Sequence, residues 1–186
     1  MSVTATNLIL GPGTLYTAVF GATEPLPAVL TSDPDALVWT DVGGTTDGVN
    51  MMMNQDFTEL QVDQIVDRLG SRLTKRDVTV QTNMAEATLE NLSMALNGAT
   101  ITSGSGYKSL QPNFATSATQ PTYKAILIDG FAPGGFRRRL IVRKVLSTAN
   151  VELAYKKDAQ TVMAVTFTAH YVSSSIAPYQ WWDQTS

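Results

Sequence analysis

Alternation of apolar and polar positions with a period of two runs through most of the chain and predicts a mainly β fold. The clearest case is QDFTELQVDQ, Gln55 to Gln64. Thr58, Leu60 and Val62 fall on one face, and Glu59, Gln61 and Asp63 on an opposite, acidic face. LTKRDVTVQTN repeats the pattern. There Val78 and Val80 share a face with Arg76 and Thr82, while Lys75, Asp77, Thr79, Gln81 and Asn83 make a wholly polar face. These runs read as two long strands separated by IVDRLGS, each giving its polar face to water.

Shorter strands surround them. LYTAVF follows the turn-forming Gly11-Pro12-Gly13, EPLPAVLTSDPD is a proline-punctuated loop, and ALVWTDV ends at Gly43-Gly44. From Val49 an extended run passes through Met51, Met52 and Met53. One helix is predicted over about 85–97, where Ala85, Leu89, Leu92 and Leu96 form an apolar stripe. Asn83 and Glu86 make its capping-box signal, and Gly98 is placed to end it in the left-handed conformation. Residues 99–121 are small and polar without a useful period and read as a long loop. YKAILIDG and FRRRLIVRKVL flank the turn APGG, and VELAYKK and TVMAVTFTAHYV flank a turn around Asp158. Residues 174–186 form a C-terminal tail with an adjacent tryptophan pair.

The 186 residues are 44% hydrophobic, enough for one domain with a real core spanning 1–186. The absence of cysteine excludes disulfides, thiol catalysis and cysteine-based metal sites. No apolar run approaches the ~18–20 residues of a membrane span. The start, MSVTATNLILGPGT, lacks the features of a secretion signal, so the expectation is a soluble protein made in a cytoplasm. Charge is segregated along the chain: no Lys or Arg precedes Arg68, and the basic residues come late. Such a chain either attracts copies of itself head to tail or interleaves the two signs on folding.

Candidate chemistry is sparse. His170, the only histidine, alternates beside Thr166 and Thr168 and reads as a surface or interface residue rather than a catalytic one. GTTDGV and DGFAPGG lack the lysine spacing of a phosphate loop and read as turns, as does TSDPD. In Arg137-Arg138-Arg139 only Arg137 and Arg139 project together, which favours a solvated face or a protein interface over a nucleic-acid patch. Met51, Met52 and Met53 place apolar groups on both faces of one strand and suggest burial on both sides, within the domain or between subunits. Trp181 and Trp182 either pack back on the domain or anchor a neighbour. No catalytic residue, metal ligand or cofactor is assigned.

The order of several segments resembles the major tail tube proteins of long, flexible-tailed bacteriophages. These are GPGTLYTAVFGATEP, the WTDVGG turn, DGV leading into a run ending FTELQVDQ, and AEATLENLSMALNG, covering about Leu8 to Gly98. The resemblance implies a β-sandwich or partly rolled barrel with one flanking helix, similar to the tube protein of type VI secretion. It implies six-membered rings that stack into a hollow tail tube for DNA passage, assembled in the host cytoplasm. The partners it implies are further copies of the chain, a tape measure protein, and tail terminator or baseplate proteins; genomic DNA would pass without specific binding, and no membrane is involved. Under this reading Glu59, Gln61, Asp63, Asp77, Thr79, Gln81 and Asn83 line the lumen. Met51, Met52, Met53, Arg137, Arg139, Trp181 and Trp182 serve contacts between subunits or rings. The alternatives are a tail terminator or baseplate ring of related fold, and a monomeric β-sandwich binding module using Trp181 and Trp182.

Overall fold

A computed structural model describes residues 11, 13–113, 120–132 and 135–185. Ten strands and one helix follow in the order β1 (Thr14–Val19), β2 (Thr40–Asp41), β3 (Thr45–Leu60), β4 (Gly70–Met84), α1 (Leu89–Ala95), β5 (Ala99–Gly104), β6 (Tyr107–Pro112), β7 (Lys124–Phe131), β8 (Arg137–Ser147), β9 (Met163–Ala169) and β10 (Tyr179–Asp183). The fold is mainly β, antiparallel throughout, and no closed barrel forms among the described residues.

The main sheet runs β2-β1-β7-β8-β9-β4-β3, with β10 also on β8. One side of β8 pairs with β7. The other side is shared: residues 138–142 pair with β10, and only Val145, Leu146 and Ser147 pair with β9. Consecutive apolar residues Leu140-Ile141-Val142 put hydrophobic groups on both faces, as a strand buried on both sides requires. Leu140 and Val142 join one cluster with Leu15, Val80, Met84 and Phe167; Ile141 joins a second with Trp39 and Leu127. The first core is the larger and is bounded by β4 and β9. The second lies on the other face, beneath the segment carrying Trp39, whose indole N–H donates to the Thr23 carbonyl at 3.0 Å.

The helix is shorter than predicted and begins four residues later. Asn83 belongs to β4, opposite Ala164 of β9, so a ladder takes the residue expected to cap. Thr88 is the actual cap and accepts from the Asn91 N–H. The buried face carries Asn91, Met94 and Ala95, with Leu92 partly buried and Leu96 exposed. Seven residues are too few to hold helical structure alone, so tertiary packing sustains the helix. Residues 99–113, predicted as loop, hold the β5–β6 hairpin, a separate two-stranded sheet against α1. The remainder of that predicted loop includes 114–119, outside the described residues. VELAYKK is not a strand; Val151 and Leu153 pack on the first core from a loop. ALVWTDV contributes only the two residues of β2. The predicted C-terminal tail contains β10.

Asn97 takes the left-handed helical position after the helix, at φ 57°, and Gly98 follows it at a positive φ of 132°. The Asn97 amide then bonds the end of β8 like one more strand residue: Nδ2 donates to the Ser147 carbonyl and Oδ1 accepts from the Ser147 N–H, both at 2.7 Å. Asn97→Gly keeps the backbone conformation and removes both bonds, so it should cost ~1–3 kcal/mol for the polar groups left unpaired. Asn97→Ala should cost ~1 kcal/mol more, because a Cβ disfavours that backbone region. Chemical denaturation measures both; wild-type stability of Asn97→Gly would mean the bonds to Ser147 do not fasten the helix.

Candidate assembly surfaces

Along β4, Val78, Val80, Thr82 and Met84 are buried, while Asp77, Thr79, Gln81 and Asn83 are half-exposed on the opposite face. Residues directly opposite across an antiparallel ladder share a face. Ladder partners therefore extend the polar face onto Ala164, Thr166 and Thr168 of β9. On the other side they add Asn50, Met52, Asn54 and Asp56 of β3, opposite Gln81, Thr79, Asp77 and Lys75. Three strands thus present one continuous surface of amides, hydroxyls and scattered charge. Lys75 and Asp77 pair on it at 2.5 Å, which raises the Lys75 pKa.

This register corrects part of the predicted polar face. Glu59 does not join Asp77, Thr79, Gln81 and Asn83. It pairs with Ser71, beyond a bulge that leaves Thr74 without a partner on β3, and it has the parity of Met51 rather than of Met52. Gln61 and Asp63 lie past the end of β3. Leu60 and Val62, predicted for the core, are exposed. The reason is distance: the core ends near Met51 and Val78, and no packed layer lies under the outer hairpin among the described residues. From Met52 to Arg76 every residue but Gly70 is exposed. The β3–β4 hairpin is an arm with one long edge free among the described residues, since β3 ends the sheet.

The arm is unusually apolar for an exposed element. Phe57 is 58% exposed, Leu60 54% and Val66 fully so, with Val62, Ile65, Leu69 and Leu73 alongside. Glu59 pairs with Arg68 across its end. Met51 packs on the first core, whereas Met52 and Met53 are exposed, so the methionine triplet is not buried on both sides within the subunit.

The arginines do share a face, but it points inward. Arg139 is fully buried and grips Asp129 with Nε at 2.5 Å and Nη2 at 2.7 Å, and Nη2 also reaches the Ser32 carbonyl at 2.9 Å. Arg137 pairs with Asp33 at 2.8 Å and Asp129 at 3.4 Å and lies over the Phe131 ring. Arg139 therefore offers nothing to a neighbouring subunit. Arg138, on the opposite face, is the exposed one and holds Asp183 of β10, keeping that carboxyl below the usual carboxylate range. The two tryptophans divide the same way. Trp182 packs on the second core, while Trp181 is 41% exposed against Tyr179.

The remaining candidates are structural. His170 sets its ring edge-on to Tyr123, whose face lies 4.4 Å from the Lys144 ammonium. The Asp47-Gly48 pair of GTTDGV is a bulge inside β3, both residues left-handed at φ 64° and 75°, with Thr82 Oγ1 donating to the Gly48 carbonyl. In TSDPD, Asp35 Oδ1 accepts from the Leu37 N–H and Asp33 serves Arg137. DGFAPGG includes 133–134, outside the described residues. No cluster of metal-ligating side chains occurs among the described residues.

The family described as phage tail tube protein matches residues 4–185, nearly the whole chain. The chain belongs to this family. It is a structural component of the virion tail, and the family is not one of enzymes. No curated protein matches the chain. For a tail tube protein, an exposed polar sheet ending in a free edge and an apolar arm is the informative part of the surface. Sequence alternation identified β4's share of it and missed Asn50, Asn54, Asp56, Phe57 and Leu73. The available signal was the Asp-Gly pair, whose bulge offsets β3 before the methionines.

The buried pair gives a stability test for the tail tube subunit. Asp129→Asn leaves the Arg139 charge buried without its counter-ion and should cost ~3–5 kcal/mol. Arg138→Ala breaks an exposed pair and should cost at most ~1 kcal/mol. Urea melts of both variants check this; equal, small losses would show that the Arg139 site is well hydrated.

Proposed function

We propose that subunits assemble side by side into rings, six-membered as the family resemblance implies, with the β3-β4-β9 polar face as the wall of a channel for DNA. The observation that carries this reading is the surface built by Asp77, Thr79, Gln81 and Asn83 together with Asn50, Asn54, Asp56, Thr166 and Thr168. The free β3 edge supplies unpaired backbone groups for joining a neighbouring sheet, and closure removes an edge that would otherwise promote uncontrolled aggregation. Glu59, Gln61 and Asp63 sit on or beyond the arm rather than on this wall. Rings stack into the tail tube, assembled in the host cytoplasm around a tape measure protein and bounded by terminator and baseplate proteins.

The physical logic of the wall is electrostatic. A duplex carries dense negative charge, so a basic lining would bind it through counter-ion release, with an affinity that falls as salt rises. A wall of amides and hydroxyls with Lys75 already neutralised by Asp77 holds DNA weakly and lets it slide. Thr79→Lys together with Gln81→Lys places two cations per subunit on the wall without touching Val78, Val80 or Thr82. Tubes of normal diameter should form, as seen by negative-stain microscopy. Virions carrying them should eject DNA severalfold more slowly, and added salt should restore the rate. Wild-type ejection at every salt concentration would remove this face from the channel.

A further inference from the structure

We propose that the tip of the β3–β4 arm seats in a groove at the base of the arm of the next copy. This rests on the tube reading above and names the surface that receives the arm.

The tip, Gln61 to Leu69, repeats an apolar–acidic pair as Val62-Asp63 and Val66-Asp67 and adds Ile65. All of these residues are exposed, and Asp63 and Asp67 have no ion-pair partner among the described residues. An apolar loop so exposed on a tail tube subunit calls for a partner surface.

The receiving groove has the complementary chemistry. It is an open cleft of about 560 Å³ between β4 and the segment leading into β10, lined by Arg76, Val78, Ala169, Ser174, Ile176 and Pro178 among others. None of its lining residues carries a carboxylate. Arg76 stands at its mouth with its guanidinium 6.0 Å above the Tyr179 ring and Nη1 donating to the Tyr179 hydroxyl at 3.3 Å. The remaining guanidinium donors are available for an incoming carboxylate such as Asp63 or Asp67. Ile176, 47% exposed, and the half-buried Ala169 offer apolar surface for Val62, Ile65 and Val66.

The occupant is a second copy because the chain cannot serve its own groove. Six residue steps along the strand lead from Gly70 to Arg76, which at ~3.4 Å each hold the tip about 20 Å away unless the ladder breaks. The tip and the groove are different patches of one surface, so each contact leaves a tip and a groove unused. That heterologous pattern extends an assembly by repetition.

The chain contains no cysteine, which makes cross-linking between single introduced thiols unambiguous. Val66→Cys and Ser174→Cys alter exposed side chains, and each variant should keep the wild-type circular dichroism. The two chains, one of them tagged, are mixed, allowed to assemble and oxidised. The expected result is tubes in which a large share of the chains run as a tagged–untagged disulfide dimer on a non-reducing gel. Either variant alone should give less than a tenth of that. Tubes without the mixed dimer would overturn the docking and leave the tube reading intact. Chains that stay monomeric at every concentration, cross-linked or not, would overturn both.

Discussion

The alternation along β4 is the constraint on which the rest of this subunit depends. Val80 and Met84 join the larger core with Val78 and Thr82 buried on the same face, and the same backbone necessarily turns Asp77, Thr79, Gln81 and Asn83 the other way. A one-residue slip would exchange the two sets, burying a carboxylate and three uncharged polar side chains while exposing the apolar ones. Register is therefore strongly specified where β4 meets β9. It becomes weakly specified farther out, where β4 has only β3 beside it. The strand thereby passes from a segment packed on the core to an arm under which no core lies among the described residues.

Charge is organised by the same division between inside and outside. The basic run at 137–139 was a candidate for attraction between subunits. Folding brings Asp129 and the Ser32 carbonyl onto Arg139, and Asp33 and Asp129 onto Arg137. Acidic residues from the early part of the chain neutralise basic ones from the late part within one subunit, as Glu24 does again for Arg143. Part of the segregated charge is thus paired within one subunit, through Asp33 with Arg137 and Glu24 with Arg143. Exposed charges without an ion-pair partner remain among the described residues, and they include the carboxylates at the arm tip and Arg76 at the arm base.

The legible features were those with strict periodicity and a partner nearby. The mainly β class, the polar face of β4 and the joint projection of Arg137 and Arg139 all follow from counting by two. The errors have separate physical causes. Asn83 looked like a helix cap because a capping box is a local signal, but its backbone pairs with β9, 81 residues away in sequence at Ala164. The β5–β6 hairpin carried no apolar period because it packs on α1 alone and is largely exposed. Glu59 and Leu60 were sorted correctly onto opposite faces. The placement of Leu60 in the core failed because that part of the arm packs on no core among the described residues. The inward turn of Arg139 was invisible because its acceptors lie 10 and 107 residues away.

The central claim is that the polar β3-β4-β9 face forms the inner wall of the tube. A density map of assembled tubes tests it most directly, through the distance of each side chain from the tube axis. On this account Asp77, Thr79, Gln81 and Asn83 lie nearest the axis, with Val78 and Val80 behind them and the second core farther out. A map in which those four residues face the outside of the tube, or are buried between subunits with another surface on the channel, would contradict it.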